Sequence, residues 1–252
     1  MSGLQRSLLI AAAALFMGHA AVAETFDALP FAKKLKLAKV GDEDAQMAVA
    51  NAYEHGTDIE LSRREAAKWY RLAAQQGNVE AQFRLARIVH DGDEGLKKSP
   101  EMAAKLYEAA AKQGHIEAQN WLGYSYQHGL GFAQSDADAV TWYRRAADAG
   151  LGMAENNLGL MYLNGKGVPQ DRSEAFNLFE RAANKGDAWG LNNLGGLYEM
   201  GWGTALDKQK AIASYRQSAA KGNEQARKNL DRLTAALGGD GAPTASTAPV
   251  GN

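Results

Sequence analysis

The sequence has no cysteine, little proline and no apolar run of membrane-spanning length. Without cysteine, no disulfide can form and no cysteine can carry a lipid anchor, so the fold must be held together by packing alone. Only five of the 252 residues are proline, while 46% are apolar, a composition typical of a helical protein. The apolar run from Leu8 to Met17 has ten residues, which is too short for a helix that crosses a membrane.

Residues 1–23 have the pattern of a secretory signal peptide. Arg6 supplies the positive start, Leu8 to Met17 the apolar segment, and small residues ending at Ala23 a cleavage site before Glu24. An uncleaved anchor is the alternative, and the short apolar segment argues against it. We therefore expect cleavage after Ala23 and a periplasmic or secreted mature chain.

The mature chain also lacks an excess of positive charge. Removal of residues 1–23 takes away one arginine and no acid, which leaves 27 basic and 29 acidic residues. The basic residues form no stripe along the chain. Nucleic acid and anionic membrane surfaces are therefore not expected as partners, and membrane insertion is not expected either.

What the sequence does contain is a pattern that recurs about every 36 residues, for example in the series Leu122, Leu158, Leu194 and Leu230. A fixed period of this length indicates stacked supersecondary units instead of one globular core. We predict an all-α fold, namely an α/α superhelical solenoid of five helix-turn-helix repeats with half-repeats at both ends. The predicted segments are an N-terminal capping helix (24–40), repeats 1 to 5 (41–76, 77–113, 114–149, 150–185 and 186–221), a C-terminal capping helix (222–237) and a disordered tail (238–252).

Each repeat carries start and stop signals for two helices of about 13 residues. A glycine, suited to the left-handed conformation that ends a helix, precedes each first helix; these are Gly41, Gly77, Gly114, Gly150 and Gly186. The second helices begin at strong N-cap types, which are Ser62, Ser99, Ser135, Asp171 and Asp207. Repeats 3 to 5 place two glycines two residues apart between their helices, as in Gly165-Lys166-Gly167, where the chain must reverse tightly.

The pattern of repeat 4 resembles the Sel-1-like repeat, a relative of the tetratricopeptide repeat. The residues that carry the resemblance are Ala154, Leu158, Gly159, Tyr162, Gly165, Gly167, Val168, Asp171, Ala175, Phe179, Ala182 and Ala183. Repeats 3 and 5 are close to this pattern, whereas repeats 1 and 2 diverge from it. The resemblance implies an α/α superhelix that acts as an adaptor or scaffold. For exported bacterial members it implies envelope signalling, polysaccharide export or contact with other cells.

Few residues suggest catalysis or metal binding. Ser218 and Lys221 have the serine–lysine spacing of penicillin-recognising enzymes, and the resemblance includes a cysteine-rich exported branch associated with penicillins. Both residues stand at ordinary repeat positions, no K-T-G or S-D-N motif accompanies them, and the chain has no cysteine. The histidines of the mature chain lack metal-ligand spacing and are interpreted as solvated residues at helix ends: His55, His90, His115 and His128. We expect no enzymatic activity, no cofactor and no metal.

Two series of asparagines are the sharpest candidate for binding. They lie off the core-facing stripe of the first helices, which by the resemblance line a concave groove. An asparagine amide there could bind a peptide amide or sugar hydroxyls; the alternative is that it forms hydrogen bonds within its own repeat. Trp202 in the following turn could anchor a ligand or pack on the adjacent turn. Leu163 shares the asparagines' side of the helix, and the candidate partner-binding residues are Arg87, Asn120, Tyr124, Asn156, Asn157, Leu160, Trp189, Asn192, Asn193 and Asn229.

The leading functional hypothesis is a non-catalytic scaffold of the bacterial cell envelope, which binds a partner protein or peptide in the concave groove. The second is an envelope component that contacts exopolysaccharide or peptidoglycan through the asparagines, Tyr124 and Trp189. The third is a penicillin-interacting hydrolase that acts through Ser218. The material that the chain captures would separate them: an envelope protein, cell-wall glycan or a labelled penicillin.

Overall fold

The computed structural model describes residues 28–93 and 96–238. Over these ranges the protein has twelve α-helices and no β-strand, which confirms the predicted all-α repeat fold. The predicted signal peptide, residues 24–27 of the N-terminal capping segment and the tail beyond residue 238 lie outside the described residues. In chain order the helices are α1 (Phe31–Lys39), α2 (Glu43–His55), α3 (Arg63–Gln75), α4 (Val79–Asp91), α5 (Pro100–Lys112), α6 (Ile116–His128), α7 (Asp136–Asp148), α8 (Gly152–Asn164), α9 (Arg172–Asn184), α10 (Ala188–Met200), α11 (Lys208–Ala220) and α12 (Glu224–Gly238).

Side-chain caps begin the second helix of each repeat, as the sequence predicts. Ser62 and Ser135 each accept a hydrogen bond from a backbone N–H three residues later. The carboxylate of Asp171 accepts from the backbone N–H groups of Ser173 and Glu174 at the start of α9. These bonds satisfy donors that the first turn of a helix otherwise leaves without a partner. The starts of the second helices are thus fixed by local sequence.

The described residues fall into two compact parts, which divide between residues 98 and 99. In the N-terminal part, α1 to α4 pack each on the next, and the contact of α1 with α2 is built on Ala38, Ala45 and Val49. In the C-terminal part, α5 to α12 again pack each on the next, and α8 also contacts α10 directly. The candidate binding residues other than Arg87 lie in the C-terminal part.

Within the C-terminal part, the two helices of a repeat approach closely because a glycine lies under an aromatic ring. A Cβ atom on Gly123 would lie 2.7 Å from the ring of Tyr143, and one on Gly159 would lie 2.7 Å from the ring of Phe179. Both rings are fully buried. Glycine is therefore required at these positions by close approach, and the first helix of each repeat has a fixed depth in the core.

The second glycine of each Gly-x-Gly turn has two reasons to be glycine. Gly167 and Gly203 have φ values of +69° and +71°, which disfavour residues with a side chain. In addition, a Cβ atom on Gly167 would overlap the backbone of Asp136, and one on Gly203 would overlap the backbone of Arg172. Each turn therefore packs directly against the start of the second helix in the preceding repeat, a contact that turn chemistry alone does not predict.

One repeat holds a buried charge where another holds an amide. Gln119 donates its side-chain amide to a carbonyl of the preceding helix, and Glu155 is the equivalent residue in the next repeat. Glu155 is fully buried, and its Oε1 lies 2.7 Å from Arg181 Nη2 and 2.8 Å from Lys185 Nζ. The Glu155 carboxylate cannot donate to the equivalent carbonyl, which is that of Ala147. Arg181 donates to this carbonyl instead, at 3.4 Å. Paired cations thus compensate the burial of this carboxylate.

Candidate functional site

The first helices of the C-terminal part share one stripe of exposed and half-buried residues at positions i, i+4, i+7 and i+11. Residues at this spacing lie on one side of a helix. We call the stripe on these four helices the ladder face. Its members are Glu117, Trp121, Tyr124 and His128 on α6, Met153, Asn157, Leu160 and Asn164 on α8, Trp189, Asn193, Gly196 and Met200 on α10, and Gln225, Asn229, Arg232 and Ala236 on α12.

Asparagine side chains connect these four helices to one another. Asn157 Nδ2 donates to Asn120 Oδ1 at 2.9 Å, which joins α8 to α6. Two further bonds join α10 to α8 and α12 to α10, with lengths of 2.8 and 3.0 Å; they run from Asn193 to Asn156 and from Asn229 to Asn192. The asparagine pairs are 37 residues apart, so the amides bond chiefly between repeats and not within them.

Burial divides the six asparagines into two groups. The three that accept the inter-repeat bonds, Asn120, Asn156 and Asn192, are only 3%, 5% and 8% exposed. The three that donate, Asn157, Asn193 and Asn229, are more accessible and belong to the ladder face. The buried group therefore holds neighbouring repeats in register, and the more accessible group remains in contact with solvent.

The other candidate residues lie in three different settings. Tyr124 is 36% exposed and its ring contacts those of Trp121 and His128. Trp189 is 57% exposed, whereas Leu160 is half-buried against the core between α9 and α10. Arg87 is exposed on α4 in the N-terminal part, with its guanidinium 6.0 Å from the ring of Phe83. The asparagines, Tyr124, Leu160 and Trp189 thus lie on neighbouring helices of the C-terminal part, whereas Arg87 belongs to the N-terminal part.

A pocket opens on the ladder face where α10 and α12 meet. Its volume is about 250 Å³, and its lining includes Leu163, Asn192, Asn193, Gly196, Glu199, Met200, Trp202, Asn229 and Arg232. Sequence reasoning named its asparagines, Leu163 and Trp202, but missed Gly196, Glu199, Met200 and Arg232. One signal was present in the sequence: position 196 is glycine where the two preceding repeats carry Leu160 and Tyr124.

An ion pair closes one side of this pocket. Arg232 donates through Nη1 and Nη2 to the two oxygens of Glu199, both at 2.7 Å, and the Tyr215 hydroxyl donates to Glu199 Oε2 at 2.8 Å. The hydrogen bonds from Arg232 lower the pKa of Glu199, against the opposing effect of burial. Burial, followed by the bond to Glu199, raises the pKa of Tyr215. Glu199 is therefore a charged carboxylate whose two oxygens are both occupied.

Trp202 forms another side of the pocket and is held by its neighbours. Its ring lies under the guanidinium of Arg172, with 4.3 Å between Arg172 Cζ and the ring centroid. The half-buried ring also packs on the core cluster that contains Leu194 and Leu197. Trp202 thus packs on the adjacent repeat, as one of the two alternatives predicts, and it also lines the pocket.

The residues considered for catalysis or metal binding have structural contacts. Ser218 is fully buried, and its hydroxyl donates to the Ala188 carbonyl at 2.6 Å, which positions it as a packing residue. The prediction of a solvated histidine is wrong for His115: its side chain is 12% exposed, and Nδ1 accepts from the Ala118 N–H as the N-cap of α6. Across residues 28–93 and 96–238, no group of three or more histidine or acidic side chains could hold a metal, and no helix is long and apolar enough to span a membrane.

Comparison with known proteins gives a consistent family match. The family model for the Sel1 repeat matches residues 43–78, 79–115, 116–151, 152–187 and 190–223. No curated protein matches the chain. The chain is similar to the solved structure of c5321, a protective antigen present in uropathogenic Escherichia coli strains with an SLR fold (34% identity, TM-score 0.70). That alignment covers 81% of this chain and 43% of the antigen, so the chain spans less than half of the antigen's length.

Two further solved structures are similar. A Sel1 repeat protein from Oxalobacter formigenes is 31% identical with a TM-score of 0.72, over 79% of this chain and 86% of that one. A putative Sel1 repeat protein from Klebsiella pneumoniae subsp. pneumoniae is 24% identical with a TM-score of 0.51, over 82% of this chain and 100% of that one. The last of these likenesses concerns the fold alone.

Proposed function

The chain belongs to the Sel1 repeat family, and from this membership we propose that it is a non-catalytic scaffold that binds an extended segment of a partner protein on the ladder face. Sel1-repeat proteins are generally scaffolds for protein–protein interaction. Stacked repeats offer a partner one continuous surface, because equivalent side chains recur on successive helices. The ladder face is such a surface in this chain.

Unused hydrogen-bonding capacity at Asn157, in the middle of the ladder face, is the single observation that carries the proposal. Asn156 Oδ1 accepts from Asn193, and Asn157 Nδ2 donates to Asn120. Among the described residues, Asn157 Oδ1 therefore keeps its acceptor capacity without a partner, as does the donor Nδ2 of the adjacent Asn156, a buried side chain outside the ladder face. A peptide group carries one acceptor and one donor, so its N–H can donate to the more accessible Asn157 Oδ1. On α10 the equivalent atoms, those of Asn192 and Asn193, bond to each other at 3.3 Å.

Exposed apolar side chains beside the asparagines supply contact area. Met153 and Trp189 occupy equivalent positions on α8 and α10, one turn before Asn157 and Asn193, and are 50% and 57% exposed. Large aromatic side chains of this kind are frequent anchors in protein interfaces. The row of apolar groups next to the row of amides suits a peptide, which offers side chains and backbone along the same length.

Helix spacing sets the length of segment that would fit. Packed helices lie about 8–10 Å apart, and an extended chain advances about 3.3 Å per residue. An extended segment would therefore meet a new helix about every three residues. About nine residues would then pass across the four helices from α6 to α12.

A capture experiment tests this proposal. Full-length chain carrying the double change Trp189→Ala and Asn157→Ala should recover much less cross-linked envelope protein than the wild type. The matched control is Leu206→Ala, because Leu206 is 60% exposed but lies in the loop between α10 and α11. Equal recovery by the double variant and the wild type, with unchanged helical content by circular dichroism, would refute binding at the ladder face.

We place the scaffold in the bacterial envelope, where envelope signalling or polysaccharide export would employ it, because residues 1–23 have the pattern of a signal peptide. Mass spectrometry of the mature protein should give an N-terminus at Glu24; an intact Met1 would contradict export by this route. The glycan alternative draws on the exposed Trp189 and Tyr124. Co-sedimentation of the purified chain with peptidoglycan, in the absence of other proteins, would favour that alternative.

A further inference from the structure

Gly196 is a helical glycine that packing does not require. A Cβ atom on its neighbour Gly195 would lie 2.8 Å from the ring of Tyr215, so glycine is needed there. A Cβ atom on Gly196 would meet only the Tyr215 hydroxyl oxygen, at 3.7 Å, an ordinary contact distance. Glycine in the interior of a helix lowers stability relative to alanine. The missing side chain at position 196 thus has a cost in stability without a gain in packing.

The missing side chain opens the pocket between α10 and α12. The preceding repeats carry Leu160 and Tyr124 at the equivalent position of the ladder face, and the following half-repeat carries Arg232. A side chain as large as leucine or tyrosine at position 196 would project into the 250 Å³ space. The sequence thus departs from its own repeat at one of the residues that line this pocket.

The walls of the pocket are mostly apolar and firmly held. Leu163 and Met200 line it together with Trp202. The guanidinium of Arg172 lies over the ring of Trp202. The adjacent Gly203 packs so closely on the Arg172 backbone that an added Cβ atom would overlap it, which fixes the turn that carries Trp202. Because these contacts exist without a ligand, the pocket is formed in advance, and little ordering free energy is lost when it is filled.

The polar groups of the pocket favour an uncharged occupant. Both oxygens of Glu199 are occupied by Arg232 and Tyr215, and Glu199 and Arg232 neutralise each other. A charged side chain that entered the pocket would lose its hydration, and the pocket offers no unpaired counter-ion to compensate for that loss. Asn193 and Asn229 also line the pocket, where each donates a hydrogen bond to an asparagine of the preceding repeat and adds no net charge.

The size of the pocket fits one side chain. Pockets for drug-sized ligands have volumes of about 300–1,000 Å³, whereas one water molecule occupies about 30 Å³. A volume of 250 Å³ is smaller than a pocket for a drug-sized ligand but holds more than a single water molecule. We infer that the pocket over Gly196 is an anchor site for one uncharged aliphatic or aromatic side chain of the partner segment. This inference rests on the proposed function and adds to it the identity of an anchor residue class.

A titration with minimal probes tests the inference without knowledge of the partner. The probes are N-acetyl-leucinamide and N-acetyl-phenylalaninamide, with N-acetyl-alaninamide and N-acetyl-aspartamide in its charged form as comparisons. Titrated into the full chain and followed by NMR, the first two should shift the Gly196 amide and the Trp202 indole signals with a dissociation constant in the low millimolar range. The alanine and aspartate probes should bind at least about tenfold more weakly.

Two variants fix the location of binding. Gly196→Leu fills the pocket with a helix-favouring residue and should abolish the shifts while the chain stays folded. The control is Ala213→Leu, which adds the same side chain at an exposed position of α11 outside the pocket and should leave binding unchanged. Trp202→Ala, followed through the Gly196 amide, should weaken the phenylalanine probe at least about fivefold.

Three results would overturn the inference. These are no binding by any probe, binding that survives Gly196→Leu, or a chain that sediments as a dimer which the probes dissociate, since a second copy would then be the occupant. Failure of the proposed function gives a different result: the ladder-face double variant would capture partner normally while the probes still bind the pocket.

Discussion

At the residue scale, the aromatic residue of the second helix in repeats 3 to 5 is matched to one residue of the first helix. The Tyr143 hydroxyl donates to Gln127 Oε1 at 2.7 Å, and Tyr215 has an acceptor in the same relative place. Repeat 4 has Phe179 instead, and the position that would supply the acceptor is Leu163, which packs on the same apolar cluster. Hydroxyl and acceptor are present together or absent together in these repeats because a buried hydroxyl without a partner costs free energy.

Adding the hydroxyl alone should therefore destabilise the protein. We expect Phe179→Tyr to lower the free energy of unfolding by about 1–3 kcal/mol, the cost of a buried polar group without a partner. The double variant Phe179→Tyr, Leu163→Gln should recover part of this loss. Urea unfolding monitored by circular dichroism measures both, and a single variant as stable as the wild type would contradict the matching rule.

The ion pair at the pocket predicts a pH dependence. Because hydrogen bonds from Arg232 lower the pKa of folded Glu199 below its ordinary 4.5, the charged carboxylate stabilises the fold above that value. The stabilisation is lost as the pH falls through the lowered pKa. We therefore expect Glu199→Gln to be less stable than the wild type at neutral pH, and the difference in unfolding free energy to shrink as the pH falls below 4.5 and through the lowered pKa. A difference that stays constant over this range would show that the charge of Glu199 does not contribute.

At the element scale, the starts of the helices follow from capping residues. The Asp207 carboxylate accepts from the N–H groups of Gln209 and Lys210 at the start of α11. The first helix of repeat 4 is an exception, since its N-cap Leu151 makes no side-chain cap bond and packs instead against the core of α7 and α8. An apolar contact thus replaces a cap where the core lies within reach.

Loss of a cap should have a moderate and local cost. We expect Asp207→Ala to lower the free energy of unfolding by about 1 kcal/mol, because two N–H donors lose their partner. The control Lys208→Ala changes the adjacent residue, which has no capping role, and should stay within about 0.5 kcal/mol of the wild type. Thermal or urea unfolding measures both; equal stability of the two variants would contradict the assignment of Asp207 as the cap.

Features set by neighbours in sequence were predictable, and features set between repeats were not. The caps at Ser62 and Asp171 could be predicted because an N-cap acts within three residues of itself. The bond from Asn157 to Asn120 could not, because it depends on how far one helix is displaced along the next. The cap at His115 was missed because histidine is not among the usual N-cap types.

The pocket was missed for a related reason. Glu199 and Arg232 are 33 residues apart, a separation that falls short of the 36-residue period, so comparison of equivalent positions does not pair them. The glycine at position 196 is visible in the sequence as a departure from the repeat. From sequence alone it cannot be distinguished from the adjacent Gly195, which packing requires. A glycine that packing requires differs from one that leaves space only in the distance between its ideal Cβ position and the surrounding side chains, and that distance is set by the fold.

At the scale of the whole molecule, repetition of the same residue positions forms the ladder face, and the candidate pocket lies where the sequence departs from the repeat. The ladder face exists because the same stripe recurs on α6, α8, α10 and α12. Its asparagines join the repeats and also present amides to solvent. The row of residues that stabilises the stack is therefore also the one to which we assign binding in our proposal. Gly196 on the ladder face and Leu163 beside it differ from the residues at the equivalent repeat positions, and both line the pocket between α10 and α12.

We propose that a partner protein contacts the ladder face and not the rest of the surface. The most direct measurement is site-specific photocross-linking in intact cells, with p-benzoylphenylalanine at position 189 on the face or at position 206 off it. Trp189 and Leu206 have nearly the same exposure, 57% and 60%, so accessibility does not bias the comparison. We predict a discrete protein adduct from position 189 and none from position 206. Adducts of equal yield from both positions, or an adduct from position 206 alone, would contradict the account.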